Sequence, residues 1–150
     1  GDFFAHMEEI DFCWRAQLAG YRIRVEPRST VFHVGGGTLP NNSPQKIYLN
    51  FRNNLCMLFK NLSPGTFWPV LFSRMVLDGM AALVFLVQGH PDFFKKVFRA
   101  HIDFHRQRKS LHEKRRAIQR HRVARPHGIL RNSIILLHAF GYRTFDKVMR

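Results

Sequence analysis

The stretch His6-Met7-Glu8-Glu9-Ile10-Asp11-Phe12-Cys13-Trp14-Arg15 decides how the start of this chain folds. It places three carboxylates within four positions, at Glu8, Glu9 and Asp11. The apolar residues recur at helical spacing, at Ile10, Cys13, Trp14 and Leu18. This pattern predicts an amphipathic helix with its acids in the first turn, where the positive end of the helix dipole favours negative charge.

Two interpretations of this acidic turn are open. In the simpler one, the acids are solvated and Asp11 forms a surface ion pair with Arg15, four residues later. In the other, a carboxylate at the rim of the helix is a general base that takes the proton of a substrate hydroxyl. Spacing alone does not separate them.

Composition and charge suggest one domain with an anionic partner. The chain has 150 residues, of which 45% are apolar, enough for a real core. Its net charge is +14, and thirteen Lys and Arg face only three acids between residues 91 and 131. Such a basic segment favours nucleic acid or an anionic membrane surface as partner. Two cysteines without a CxxC motif exclude a disulfide framework and fit a reducing cytosolic setting.

The first residues, Gly1 to Ala5, lack the basic and apolar regions of a signal peptide. The chain begins without Met, and we expect it to be a fragment of a longer protein that starts inside a domain.

Two strand-like runs follow the first helix. Residues 21–25 alternate apolar and basic side chains, and residues 29–34 are rich in β-branched residues. The second run contains His33 and leads into Gly35, Gly36 and Gly37. The glycine amides could point at an anion and the histidine could bind a metal, although a flexible turn beside a structural histidine is the simpler interpretation.

A helix is predicted to begin at Ser43-Pro44 and to end in residues 61–65. Its apolar stripe is interrupted by Arg52, Asn53 and Asn54. These side chains make either capping and surface bonds or substrate contacts.

Residues 67–88 are the most apolar part of the chain, and their longest unbroken apolar run is nine residues, 79–87. Because Arg74 and Asp78 lie near the middle, we do not expect a transmembrane helix. A core helix and a helix in the membrane interface remain equally consistent with this segment.

Residues 91–122 predict basic amphipathic helices, which are typical of membrane surfaces. The apolar side of the first is predicted to comprise Phe93, Phe94, Val97, Phe98, Ile102 and Phe104. His101, His105 and His112 share a face, which suggests either a metal site or a solvated row of histidines.

Three segments resemble motifs of family 2 glycosyltransferases, in the same order. Residues 3–15 resemble the "ED-x-D-x-C-x-R" block, residues 31–38 the "H-x-GG-[ST]" block, and residues 48–54 the "Y-x-x-RN" helix. The resemblance covers about residues 1–60. The remainder is more weakly similar to the basic, membrane-associating tails of bacterial members, especially rhamnosyltransferase-like ones.

The resemblance implies the C-terminal part of a GT-A α/β fold. The donor-binding half of that fold carries a DxD motif that holds a divalent metal, Mg or Mn, and no DxD occurs in this sequence. The family's catalytic base falls on Glu9, with Glu8 as the alternative and Asp11 as a third acid of the site. His33 matches a position that helps to hold metal or diphosphate. The donor diphosphate would contact Gly35, Gly36, Gly37 and Arg52.

We therefore expect an α+β, mostly helical chain, with one or two short strands followed by amphipathic basic helices. Residues 1–62 would be the acceptor-side part of the catalytic domain, and residues 63–150 a membrane-associating helical region. The function would be inverting sugar transfer from a nucleotide-sugar donor to a sugar or lipid-linked acceptor in bacterial cell-surface polysaccharide assembly. The protein would need the N-terminal half of the same domain and would lie on the inner face of the plasma membrane, with no nucleic acid as partner. The alternative is a non-enzymatic basic module that binds nucleic acid or a membrane surface.

Overall fold

Five helices make up the part of the chain that the computed structural model describes, which is residues 3–32, 40, 43–126 and 141. The helices are α1 (Glu8–Leu18), α2 (Pro44–Asn61), α3 (Pro64–Val87), α4 (Pro91–Arg106) and α5 (Arg108–Arg120). These residues contain no strand. The chain is mostly helical, as the sequence predicts.

The helices begin and end at the signals in the sequence. The hydroxyl oxygen of Ser43 accepts a hydrogen bond from the backbone N–H of Lys46 at 3.2 Å, which confirms the predicted start of α2. After α1, Gly20 adopts a positive φ of 89°. The Tyr21 N–H donates to the Ala16 carbonyl across this glycine, in the Schellman arrangement that ends many helices.

The two predicted strands are wrong for the described residues. Residues 21–25 and 29–32 have no regular secondary structure, and all their side chains are exposed. Alternation and β-branching only make a segment compatible with a sheet, and a strand also needs a neighbour for its backbone hydrogen bonds. No described segment supplies that neighbour.

α2 is the central helix, and it packs against each of the other four. Phe59 lies at the middle of the core, with edge-to-face contacts to Phe67 at 5.2 Å and Phe104 at 5.7 Å between ring centroids. The buried apolar cluster consists of Leu55, Cys56, Phe59, Leu62, Phe67, Leu71, Phe104 and Leu111. The described residues of the predicted regions 1–62 and 63–150 therefore share one core.

α3 and α4 form an antiparallel pair around a turn at Gly89, whose φ is 80°. α3 buries Phe67, Leu71, Asp78 and Ala82. By length and composition α3 is long and apolar enough to cross a membrane, which the short apolar run in the sequence did not indicate. Only 17% of its most apolar 18-residue stretch is buried inside the protein.

α4 turns its apolar side toward the protein. Val97, Ala100 and Phe104 are buried, and α4 packs against α2 and α3. Phe98, by contrast, is 63% exposed. Of the apolar face that the sequence predicts for α4, Val97 and Phe104 are thus buried, and Phe93, Phe94 and Ile102 are half-buried.

Candidate functional site

The turn before α1 has an unusual backbone that α2 holds in place. His6 and Met7 both have positive φ, 69° and 71°. Such conformations cost non-glycine residues of the order of 1 kcal/mol or more each, and they persist where the surroundings fix them. The Asn53 amide nitrogen donates to the carbonyl oxygens of Ala5 at 2.8 Å and His6 at 3.0 Å. Asn53 is fully buried, so it fixes the segment that leads directly into the acidic turn.

Arg52 orients Asn53. Its Nη2 and Nε donate to the Asn53 amide oxygen at 2.7 and 2.9 Å, and this sets which end of the amide faces the turn. The Arg52 guanidinium also lies over the ring of Tyr48, 5.4 Å from its centroid. These contacts fix the Asn53 amide, and the predicted binding of the donor diphosphate by Arg52 stays a prediction.

A second set of hydrogen bonds ties this part of α2 to α4. The Tyr48 hydroxyl donates to the Asp103 carboxylate at 3.0 Å, and Arg99 Nε donates to the same oxygen at 2.9 Å. Burial raises the pKa of Tyr48, and its bond to Asp103 raises it further. Burial also acts to raise the pKa of Asp103, but the bonds from Arg99 and Tyr48 and the charge of Arg106 outweigh it, so the pKa is lowered.

Asp11 forms a buried charge cluster between α1 and the end of α2. Its Oδ1 lies 3.1 Å from Lys60 Nζ and accepts from Asn61 Nδ2 at 2.7 Å, and its Oδ2 accepts from Arg15 Nε at 2.9 Å. The predicted pairing of Asp11 with Arg15 is thus confirmed, but the expected surface position is wrong, because Asp11 is buried. Asp11 is 3% exposed and Lys60 is 4% exposed. A general base must reach a substrate proton, so these contacts favour a structural role for Asp11 over the catalytic one expected.

An open pocket of about 380 Å³ lies beside this cluster, between α1, the end of α2 and α5. Backbone N–H groups of Val123 and Ala124 donate to the Leu18 carbonyl and hold the end of α5 against the end of α1. The pocket is lined by Phe3, Glu8, Asp11, Arg15, Lys60, Lys114, Ala117 and Ile118. Its wall thus combines two carboxylates with three cations.

The two glutamates of the acidic turn have different surroundings. Glu8 lines the pocket, whereas Glu9, next to it in the first turn of α1, does not. Both side chains are exposed. Neither makes a hydrogen bond or ion pair with any other described residue.

The remaining predicted ligands lie outside the described residues. These are His33, Gly35, Gly36 and Gly37, so their role in holding metal or diphosphate stays a prediction. Within the described part of the chain, no group of three or more His, Cys, Asp or Glu could hold a metal ion.

The three histidines on α4 and α5 contact different partners. His101 Nε2 lies 3.2 Å from Asp78, His105 packs on Phe104, and His112 packs on Phe59. Burial, Arg108 and His101 lower the pKa of His105. These separate contacts favour structural roles.

From the sequence, Asn53 could make either capping bonds or substrate contacts, and no role was predicted for Lys60, Asn61 and Asp78. All four residues are buried. A signal for the first three exists. Lys60 and Asn61 lie seven and eight residues after Asn53, so the three share a side of α2 with the apolar residues Leu49, Cys56 and Met57. Buried polar groups need partners, and an interruption of this kind therefore indicates a polar contact inside the protein.

Comparison of this chain with protein-family models, with curated proteins and with solved structures gives no match.

Proposed function

We propose that this chain is the acceptor-side, C-terminal part of an inverting glycosyltransferase. The reaction would move a sugar from a nucleotide-sugar donor to an acceptor hydroxyl in bacterial cell-surface polysaccharide assembly. The observation that carries the proposal is the pair of hydrogen bonds from Asn53 to the carbonyls of Ala5 and His6. They join the segment that resembles the "Y-x-x-RN" helix to the segment that resembles the acidic block, 48 residues earlier in the chain.

The acidic turn supplies the base in this proposal. An inverting transfer needs a carboxylate within hydrogen-bond reach of the acceptor hydroxyl, to take its proton as the oxygen attacks the anomeric carbon. Glu9 is exposed and unpaired among the described residues, and it stands at a helix N-terminus held by Asn53. We assign the base to Glu9.

Glu8 is the alternative base. It shares the pocket wall with Arg15, Lys60 and Lys114. Because Glu8 is exposed and faces this pocket, we assign it to binding of acceptor hydroxyl groups, as a hydrogen-bond acceptor.

The resemblance also implies a divalent metal. The described residues offer no metal-binding group, and the one ligand that the sequence suggests, His33, lies outside them. We therefore assign no step of the reaction to a metal in this chain. The described residues hold the acceptor side, fix the acidic turn and accept the proton.

A basic binding module without enzymatic activity is the second candidate, and the surface of α5 favours it. The exposed cations of this helix are Arg108, Lys109, Lys114, Arg116 and Arg120. Co-sedimentation with duplex RNA and with anionic liposomes at matched salt distinguishes a module that binds nucleic acid from one that binds a membrane surface. Strong, salt-sensitive binding to RNA alone would favour a nucleic-acid module over a transferase.

The test of the carrying observation is Asn53→Ala in a protein that joins this chain to a donor-binding half. Loss of the two hydrogen bonds frees the turn before Glu9, so we expect kcat for nucleoside diphosphate release to fall while KM for the donor changes little. Asn50→Ala on the same helix is the matched control. Equal kcat for the two variants would contradict the proposal.

A further inference from the structure

The outward face of α3 is predominantly apolar and carries no charge. The buried residues Phe67, Leu71, Asp78 and Ala82 define its inner face. Its exposed apolar residues are Trp68, Val70, Phe72, Val76, Leu77, Met80, Leu83, Val84, Leu86 and Val87. Single exposed apolar side chains are ordinary, but a continuous set on one helix marks a contact surface.

The only charged residues of α3 are turned away from this face. Asp78 is 1% exposed, and its carboxylate oxygens lie 2.7 Å from Arg74 Nε and 3.2 Å from His101 Nε2. The Arg74 guanidinium lies over the ring of Phe51 on α2, 5.5 Å from its centroid. Both charges are thus compensated inside the protein, and the outward face presents none.

We propose that the outward face of α3 is a membrane-docking surface, which lies in the interfacial layer of an anionic bilayer with the helix axis parallel to the membrane plane. The proposal does not depend on sugar transfer. Of the two interpretations that the sequence leaves open for residues 67–88, it selects the membrane interface, and it does not rely on α4, whose residues Val97, Ala100 and Phe104 are buried.

The packing of α4 along α3 explains why α3 would lie in the membrane surface and not cross it. α4 carries Lys95, Lys96, Arg99, Asp103 and Arg106. A crossing α3 would carry these charges into hydrocarbon or would have to separate from α4 and from His101, the partner of Asp78. Charged side chains in hydrocarbon are costly, whereas an amphipathic arrangement leaves them in water.

The charge of the chain selects the kind of bilayer. Lys95, Arg99 and Arg106 on α4 are exposed, and so are Arg108 and Lys109 at the start of α5. Cations near the surface attract anionic lipid headgroups, and salt screens this attraction. An apolar groove of about 400 Å³ between α3 and α4 continues the outward face, with Leu83 and Phe98 in its lining.

The first experiment is flotation of the 150-residue chain with two kinds of vesicle. One contains neutral lipid alone, and in the other about 30% of the lipid is anionic. We expect binding to anionic vesicles, weakened by salt. The variant Phe72→Gln/Val76→Gln/Met80→Gln should bind at least tenfold more weakly, because it removes apolar area from the docking surface. The control Val25→Gln/Val31→Gln/Phe32→Gln changes three exposed apolar residues outside α3 and should bind as the unaltered chain does.

The second experiment measures depth with brominated lipids that quench tryptophan fluorescence. Trp14→Phe leaves Trp68 as the single fluorescent reporter. Two further variants replace both native tryptophans with Phe and carry either Val76→Trp or Leu83→Trp, which moves the reporter along α3. A helix in the membrane plane gives all three reporters a similar, shallow depth. A crossing helix would place residue 76 about 12 Å from residue 68 along the membrane normal.

Three outcomes would overturn the proposal. In the first, the α3 variant and its control bind vesicles equally. In the second, the reporter at residue 76 lies deep in the bilayer while the reporter at residue 68 is shallow. In the third, the chain forms a stable dimer that covers α3 and does not bind vesicles. Circular dichroism confirms that each variant keeps its helix content, so that lost binding is not lost folding.

Discussion

The buried pair of Asp11 and Lys60 offers the sharpest test of the packing between α1 and α2. Lys60→Met removes the ammonium group 3.1 Å from Asp11 Oδ1 and keeps most of the apolar stem. The carboxylate stays buried, with Asn61 and the half-exposed Arg15 as its remaining partners. Removing one partner of a buried ion pair costs roughly 3–5 kcal/mol, because the other charge is left uncompensated.

The remaining partners place the expected loss at the lower end, about 3 kcal/mol of the free energy of unfolding. For a domain of this size, that corresponds to a fall in Tm of roughly 6–12 °C. Asp11→Asn in the same chain removes the uncompensated charge. The double variant should therefore recover to within about 1 kcal/mol of the unaltered chain.

Urea unfolding followed by circular dichroism measures these differences, and the double-mutant cycle isolates the pair. Arg28→Met is the matched control, because it removes an arginine whose partner, Glu26, is also exposed. We expect this change to have little effect on stability. If Lys60→Met and Arg28→Met destabilise the chain equally, Lys60 is not a compensating charge and the cluster does not tie α1 to α2.

Two further predictions concern activity and pH. The 150-residue chain alone should release no nucleoside diphosphate from a panel of nucleotide sugars, because the proposal places the donor site in a separate half of the domain; release from any donor would contradict it. The lowered pKa of Asp103 means that its stabilising contribution is present above its unfolded value of about 3.8 and is lost as the pH falls through the folded value. Asp103→Asn should therefore reduce the loss of stability on acidification below about pH 4, measured by urea unfolding at each pH, and an unchanged acid profile would show that Asp103 contributes nothing.

The elements that the sequence predicts well depend on local chemistry. Ser43 with Pro44 starts α2, and Gly20 ends α1. The pairing of Asp11 with Arg15 follows from helical spacing alone. Each involves residues within one or two helical turns, so neighbouring letters of the sequence contain the information.

The features that the sequence misses depend on distant parts of the chain. The segment 21–25 has a strand-like pattern but no partner among the described residues. The apolar side of α4 suits a membrane as well as a protein core, and only its packing on α2 and α3 decides between them. The spacing of Lys60 on α2 can indicate that it is buried, but it does not identify its partner Asp11, which lies 49 positions earlier in the chain.

The measurement that tests the proposed transferase most directly is kcat for Glu9→Gln and Glu8→Gln in a protein that joins this chain to a donor-binding half. Loss of a general base lowers kcat by about 10²–10⁴-fold, so Glu9→Gln should show that loss with donor affinity little changed. Glu8→Gln should lose less and should show its effect on acceptor binding. A larger fall in kcat for Glu8→Gln would reverse the two roles, and unchanged kcat in both variants would contradict catalysis by the acidic turn.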